Sequence, residues 1–345
     1  MIDPVQRYAL LALASAFLFG AAAPAVKPIA AAMHPVLLAG LLYLGSFLGL
    51  ACVRLFRRRD EARLQRRDLP MLAGAIAAGG LIAPVLLVWG LSGLAASATS
   101  LLLASEAVFT MLLAALLFRE AIAARVWMAA ALIFAAAGIL AWTPGLSVPV
   151  SPHGLAILAA CLLWALDNNL TSRISLADPF AIAMWKGLVA GGVNTLLGLA
   201  LVPAAPAAGW LGALVVGAIG YGASLVLYVL ALRYLGAART AAHFGTAPFF
   251  GAALAVAFLG EPLNATLVAA FAMTGAATWL ALSERHTHAH DHETLEHEHR
   301  HVHDEHHQHA HGGDEGPEPH SHVHRHQPLH HRHAHFPDLH HRHRH

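Results

Sequence analysis

Apolar residues run through the first 282 positions in long blocks, each interrupted by a few polar, Gly or Pro residues. About 20 apolar residues in a helix suffice to cross the hydrocarbon of a bilayer. Ten blocks fit that requirement: 8–26, 34–53, 70–90, 95–118, 125–142, 154–171, 180–202, 210–232, 240–260 and 262–282. Transmembrane strands would show short alternating segments instead, so the pattern predicts an all-α integral membrane protein with ten transmembrane helices. From residue 286 the pattern inverts, and histidine alternates with other polar residues to the end of the chain. Such a segment has too little apolar surface to build a core, so a disordered tail is expected over 284–345.

Composition sharpens the division. Charged residues make up 12% of the chain, against about a quarter in a soluble domain, and the mean hydropathy is +0.57. The tail holds 24 of the 27 histidines. Cys52 and Cys161 fall on different predicted helices, which argues against a disulfide framework or a thiolate metal cage.

Arginine placement predicts the topology. Arg54, Arg57, Arg58, Arg59, Arg63, Arg66 and Arg67 follow the second block, and short Arg-rich loops stay cytoplasmic. Counting from that loop places Arg7, Arg119, Arg125, Arg173, Arg233 and Arg239 on the same side. The opposite loops near 91–97, 143–153 and 203–209 carry no Arg or Lys, and Lys27 alone faces outward. Ten helices then leave both termini in the cytoplasm. The 19 Arg against two Lys, with abundant Ala, suit a bacterial inner membrane. The N-terminal apolar run resembles a signal peptide, but the repeat described next needs it as a first helix.

Residues 105–122 match 246–263 at an offset of 141, with Glu120 falling on Glu261. Five helices per copy is an odd number, so the two halves insert in opposite orientations. Glu120 is then expected in the cytoplasm and Glu261 outside. Inverted halves are common in transporters, with the substrate site between them near the midplane. The expected organisation is a first repeat over 1–142, an external linker at 143–153, a second repeat over 154–283 and the tail at 284–345.

Gly260-Glu261-Pro262-Leu263, preceded by Thr246-Ala247-Pro248-Phe249, resembles the EamA domain of the drug/metabolite transporter superfamily. The stretch from Phe17 to Pro35 and its counterpart from Leu162 to Pro179 share the resemblance. It covers about 8 to 282. It implies ten helices in two inverted five-helix repeats, alternating access, and export or exchange of small organic solutes. The first half departs from the pattern, with Ser105-Glu106-Ala107 and Phe118-Arg119-Glu120-Ala121 at the equivalent places.

Ionisable residues in hydrocarbon are costly and tend to line cavities. Glu106 lies midway along the fourth block, where a charge costs roughly 3 kcal/mol. It is either a carboxylate that couples transport to protons or a structural group bonded to a neighbouring helix. His243 starts the ninth block and could approach Glu106 across the repeats, or simply sit satisfied at a helix end. Asp167 and Lys186 lie at similar depth and could neutralise each other or bind substrate. Asn168, Asn169, Asn194 and Trp185 are further cavity candidates, with interhelical bonding as the alternative for the amides. Trp164 is also deep, whereas Trp89, Trp127, Trp142, Trp210 and Trp279 fit an interfacial belt.

In the tail, His286, His288, His290 and His292 form one run. His297, His299, His301 and His303 form a second, and His320, His322, His324 and His326 a third. Imidazole is a good ligand for zinc, nickel, cobalt and copper, so the tail is expected to bind divalent transition metals without strong selectivity. A pH-responsive polycation and a low-complexity expansion are the other readings. Residues 284–345 carry 6 Arg against 11 Asp and Glu, a net −5 with neutral histidines, which argues against nucleic acid as a partner.

Three functions remain. The first is a non-enzymatic secondary transporter in the lipid bilayer for a small organic solute, with a metal-binding cytoplasmic tail and no required cofactor. The second makes a transition metal the cargo, with a thin donor set of Glu106, His243 and Asp167. The third is a membrane metal sensor or sink. A homodimer is compatible with all three. An ATP-driven pump would need cytoplasmic loops large enough for a nucleotide domain and a Gly-rich phosphate loop, which the sequence lacks.

Overall fold

The structure, a computed structural model, describes residues 4–56, 62–118, 124–141, 151–202, 209–282, 287–291, 296–301, 320–325 and 330–334. The first half of the body holds α1 (Pro4–Ala30), α2 (Pro35–Leu55), α3 (Leu69–Ala75) and a π-helical segment at Ile76–Ile82. It continues with α4 (Ala83–Gly93), α5 (Ala96–Leu102), α6 (Ser105–Phe118) and α7 (Ala124–Ala141). The second half holds α8 (Pro152–Ile174), α9 (Pro179–Leu201), α10 (Trp210–Val216) and a π-helical segment at Gly217–Ala223. α11 (Ser224–Phe244), α12 (Ala247–Leu259) and α13 (Ala265–Leu282) complete it. Pro35, Pro152 and Pro179 open their helices at the first position, where a missing N–H breaks no helical bond.

Seven helical stretches are long and apolar enough to cross a membrane: Arg7–Ala30, Pro35–Leu55, Arg66–Gly93, Ala96–Ala114, Pro152–Ile174, Pro179–Leu201 and Trp210–Leu235. Three shorter apolar helices, Trp127–Ala136, Ala247–Leu259 and Ala265–Leu280, bring the described set to one for each predicted block. Two boundaries differ from expectation. The fourth block breaks at residues 103–104, between α5 and α6. The loop expected at 233–239 is helical within α11, and the chain turns at 245–246 instead. That stretch has no proline, and its single glycine, Gly236, costs too little to stop the helix.

The two π segments lie at the same repeat offset of 141. Helix contacts are exchanged between the halves in the same sense. α1 packs on α11 and α12, and its counterpart α8 packs on α4 and α6. α2 crosses α9 along a line of glycines. Gly40 abuts the Thr195 backbone, Gly191 abuts Leu44, and Gly198 abuts Leu37. A Cβ at any of the three would fall inside contact distance, so the glycines set how closely the helices approach. Large apolar side chains such as Leu116, Leu196, Leu211 and Phe258 stand on the outside, while Glu106, Asp167, Lys186 and Arg233 are buried. That inversion of a soluble protein suits a lipid surround.

Some residues of the tail are described as short strands. β1 (Thr287–Asp291) pairs antiparallel with β4 (His330–Ala334), and β2 (Glu296–His301) with β3 (His320–Arg325). Alternation at every second residue is also the period of a strand, and pairing satisfies backbone groups that have no core to enter. His297, His299 and His301 stand opposite His324, His322 and His320 in register. His288 and His290 lie on β1. His286, His292, His303 and His326 lie outside the described residues, as do Glu120, Trp142 and positions 143–150 of the predicted linker.

Candidate functional site

The break between α5 and α6 places Glu106 in the first turn of α6. The turn closes through short-range bonds from Ala104 N to Leu101 O and from Glu106 N to Leu103 O. Glu106 is 6% exposed. Its Oε1 accepts from Asn168 Nδ2 at 2.8 Å, and the same amide reaches Thr110 Oγ1 at 3.3 Å. Among the described residues no Lys, Arg or His forms an ion pair with it. The start of a helix is a favourable place for a carboxylate, but the charge is otherwise met only by neutral dipoles.

α8 supplies a polar face at helical spacing: Trp164, Asp167, Asn168 and Thr171. Asp167 Oδ1 accepts from Lys186 Nζ of α9 at 2.5 Å and from Thr171 Oγ1 at 2.8 Å. Lys186 also donates to Thr171 Oγ1 at 2.9 Å. The structure thus brings Asp167 and Lys186 together, the first of the two alternatives the sequence left open. Two costly charges cancel, and removing either would strand the other.

The first π segment is pinned by side chains. A π-helical stretch shifts the backbone bonds off the α ladder, and such stretches recur at functional sites. Gly79 O accepts from Tyr43 Oη at 2.6 Å and from Trp164 Nε1 at 2.9 Å. Asn194 Nδ2 donates to Leu81 O at 3.1 Å and Gly80 O at 3.4 Å. A Cβ on Gly79 would run into the Asp167 carboxylate.

Opposite this polar wall stand rings from α1, the second π segment and α11. Phe19 packs within 5.8 Å of Tyr221, 5.7 Å of Trp164 and 5.2 Å of Phe244, measured between ring centroids. Tyr43 lies 5.4 Å from Tyr221, and Tyr228 lies 4.8 Å from Phe244. Between them is a cavity of about 60 Å³, lined by Glu106, Asp167 and Asn168, by the hydroxyl residues Ser46 and Ser224, and by these rings. A smaller adjoining space shares Glu106, Phe19 and Phe244 and adds Ser100 and Pro248.

The remaining sequence candidates separate. Asn168 lines the cavity. Asn169 instead bonds Thr110 O and Ala165 O, and Asn194 holds the π segment, so both amides serve helix packing. Trp185 is 51% exposed on the outer surface of α9 and does not face the cavity. Its neighbour Lys186 takes the inward direction, and consecutive residues on a helix point about 100° apart. His243 lines neither space, and the group that meets Glu106 is Asn168. The aromatic wall was missed from sequence. A signal existed: Tyr43, Tyr221 and Tyr228 lie within apolar blocks rather than at the interfaces tyrosine prefers.

The two ends of the bundle carry separate ties. At one end Arg54 pairs with Asp178, which caps α9 through Phe180 N at 2.9 Å. Arg233 joins there, donating to Ser175 O and Ala177 O, both at 2.8 Å. At the other end Lys27 donates to Leu91 O at 2.6 Å and to Leu94 O. Glu261 accepts from Ala96 N at 2.7 Å and Ser97 N at 2.8 Å, capping α5 from the opposite repeat.

Comparison with known proteins agrees with this architecture. The model of the EamA-like transporter family matches twice, over residues 6–142 and 153–283. An uncharacterized transporter of Methanothermobacter thermautotrophicus (strain ATCC 29096 / DSM 1053 / JCM 10044 / NBRC 100330 / Delta H) is 30% identical over 274 residues, 71% of this chain and 77% of that protein. A solved crystal structure superposes with a TM-score of 0.61 at 17% identity, covering 80% of this chain and 95% of its own. That last likeness concerns the fold.

Proposed function

This chain belongs to the EamA-like transporter family and is a multi-pass membrane transporter, and from that premise we propose a proton-coupled carrier that exports a small organic solute. The observation that carries the reading is Glu106. It is a buried carboxylate on the wall of a cavity between the two halves, held by an amide and paired with no cation among the described residues. Such a group can exchange a proton for a solute contact, which a salt-bridged carboxylate cannot do cheaply. Asp167 and Lys186 hold the wall in place, and Asn168 orients the Glu106 carboxylate.

The tail is a metal-binding appendage in the same reading, on the cytoplasmic side of a bacterial inner membrane with both termini inside. Metal as cargo is the weaker alternative. Among the described residues no three His, Cys, Asp or Glu side chains come together as a metal would require.

The test uses protein in proteoliposomes with a trapped pH dye, challenged with a metabolite panel and with zinc, nickel and cobalt. Solute-driven proton movement that disappears in Glu106→Gln is the expected result. Metal flux that depends on Glu106 would replace the organic solute with the metal. Binding of zinc to the full chain, lost in a chain ending at Arg285, is the expected behaviour of the tail.

A further inference from the structure

The charge and ring content of the cavity go further than the carrier reading on which this inference rests. We infer that the cavity takes a monovalent organic cation: an ammonium group on an apolar, ring-bearing body.

Three observations converge. First, the charges facing the cavity do not sum to zero. Asp167 and Glu106 both line it, but Asp167 is cancelled by Lys186. One carboxylate remains, with Oε1 held by Asn168 and, among the described residues, no hydrogen-bond partner at Oε2.

Second, among the described residues the buried and half-buried cations nearest the bundle interior are committed elsewhere. Lys186 is held by Asp167 and Thr171. Arg233 donates to the carbonyls of Ser175 and Ala177. Lys27 donates to those of Leu91 and Leu94 at one end of the bundle. His243 lines neither space. An anionic or zwitterionic solute would therefore bring a carboxylate against Glu106 with nothing to meet it.

Third, the facing wall is aromatic. Phe19, Tyr221, Tyr228 and Phe244 form a continuous set of ring contacts, and Tyr43 and Trp164 direct their polar ends to Gly79 O. Ring faces attract cations by their quadrupole, most strongly where water is excluded. Among the described residues the buried Tyr228 hydroxyl has no hydrogen-bond partner, nor has the Ser100 hydroxyl in the adjoining space that Glu106 shares. Other buried hydroxyls of the bundle, such as Thr195 and Thr274, are also without one, but these two lie on the spaces that Glu106 lines. An ammonium donor between Glu106 and these oxygens would satisfy them.

The experiment is calorimetric titration of the full chain in lipid nanodiscs with three probes of similar size. Phenethylammonium carries the cation, phenylacetate the anion, and phenylalanine both charges. Phenethylammonium should bind more tightly than the other two by about tenfold or more, the scale of one contact to a charged group. Glu106→Gln, which keeps the volume and the Asn168 contact, should erase that preference while melting close to the intact protein. Phenylacetate or phenylalanine binding as tightly as the cation in the intact protein overturns the inference, and that comparison needs no variant to fold. So does a preference that survives Glu106→Gln, or no cation binding at all. Glu106-dependent proton flux driven by an anion or zwitterion would sink the cation and leave the carrier. Cation binding with no proton flux for any solute would sink the carrier and leave the site.

Discussion

At the start of α6 the chain reads Ser105-Glu106-Ala107, and 141 residues later, entering α12, it reads Thr246-Ala247-Pro248. The backbone makes the same turn in both places, yet only the first puts a carboxylate inside. The same holds one helix earlier. Gly79 and Gly220 sit at equivalent points of two π segments, but the donors Tyr43, Trp164 and Asn194 converge on the first. The second contributes Tyr221 to the facing wall. Both halves supply both kinds of group, from helices that are not repeat equivalents: polar groups come from α6 of the first and α8 and α9 of the second, and rings from α1 of the first and α11 of the second. The cavity therefore holds a carboxylate and rings together although its two halves share one backbone plan.

The largest break in that comparison should come from Lys186→Met. It leaves Asp167 charged, buried and alone, and should cost about 3–5 kcal/mol. Adding Asp167→Asn should restore most of it. Thermal unfolding of the single and double variants in detergent reads this out, and a harmless single variant would mean the pair does not neutralise itself.

Gly79→Ala against Gly220→Ala tests the halves directly. A Cβ at 79 strikes the Asp167 carboxylate, whereas at 220 it comes 2.8 Å from the Ala22 Cβ. The expected losses are about 3 kcal/mol and about 1 kcal/mol, the two ends of the range for overpacking. Equal losses would show that the first π segment is no more constrained than the second.

Tyr43→Phe removes one of the two donors to Gly79 O and leaves Trp164 in place. A loss of about 1 kcal/mol is expected, again from melting. The smallest effect belongs to Glu261→Gln at the other end of the bundle. It keeps an acceptor for Ala96 N or Ser97 N but removes the charge at the start of α5. The cost should be below about 1 kcal/mol, with cavity binding unchanged.

Much of the fold was legible in the chain. Each of the ten apolar blocks corresponds to an apolar helix in the structure, because hydrocarbon forces a span to satisfy its backbone within itself. Glu106, Asp167 and Lys186 stood out because a charge in such a block is conspicuous. The π segments and the helix running through 233–239 were not legible. The π segments carry glycines, but glycine alone does not say whether a ladder shifts, breaks or merely packs closely, and packing decides which. Trp185 was misplaced because depth along a helix does not reveal which way a side chain turns.

The sequence by itself determined that the body spans a membrane, that it repeats, and which buried groups are ionisable. Each of these follows from local composition against the cost of burying polarity. Only the tertiary structure decided that Lys186 meets Asp167, that Asn168 meets Glu106, and that six rings line the same cavity as a carboxylate with no ion-pair partner among the described residues. The first pairing joins consecutive helices of one half, and the second joins opposite halves, 62 residues apart. Both depend on how the helices turn and cross, a geometry that glycine contacts between helices set and no single segment encodes.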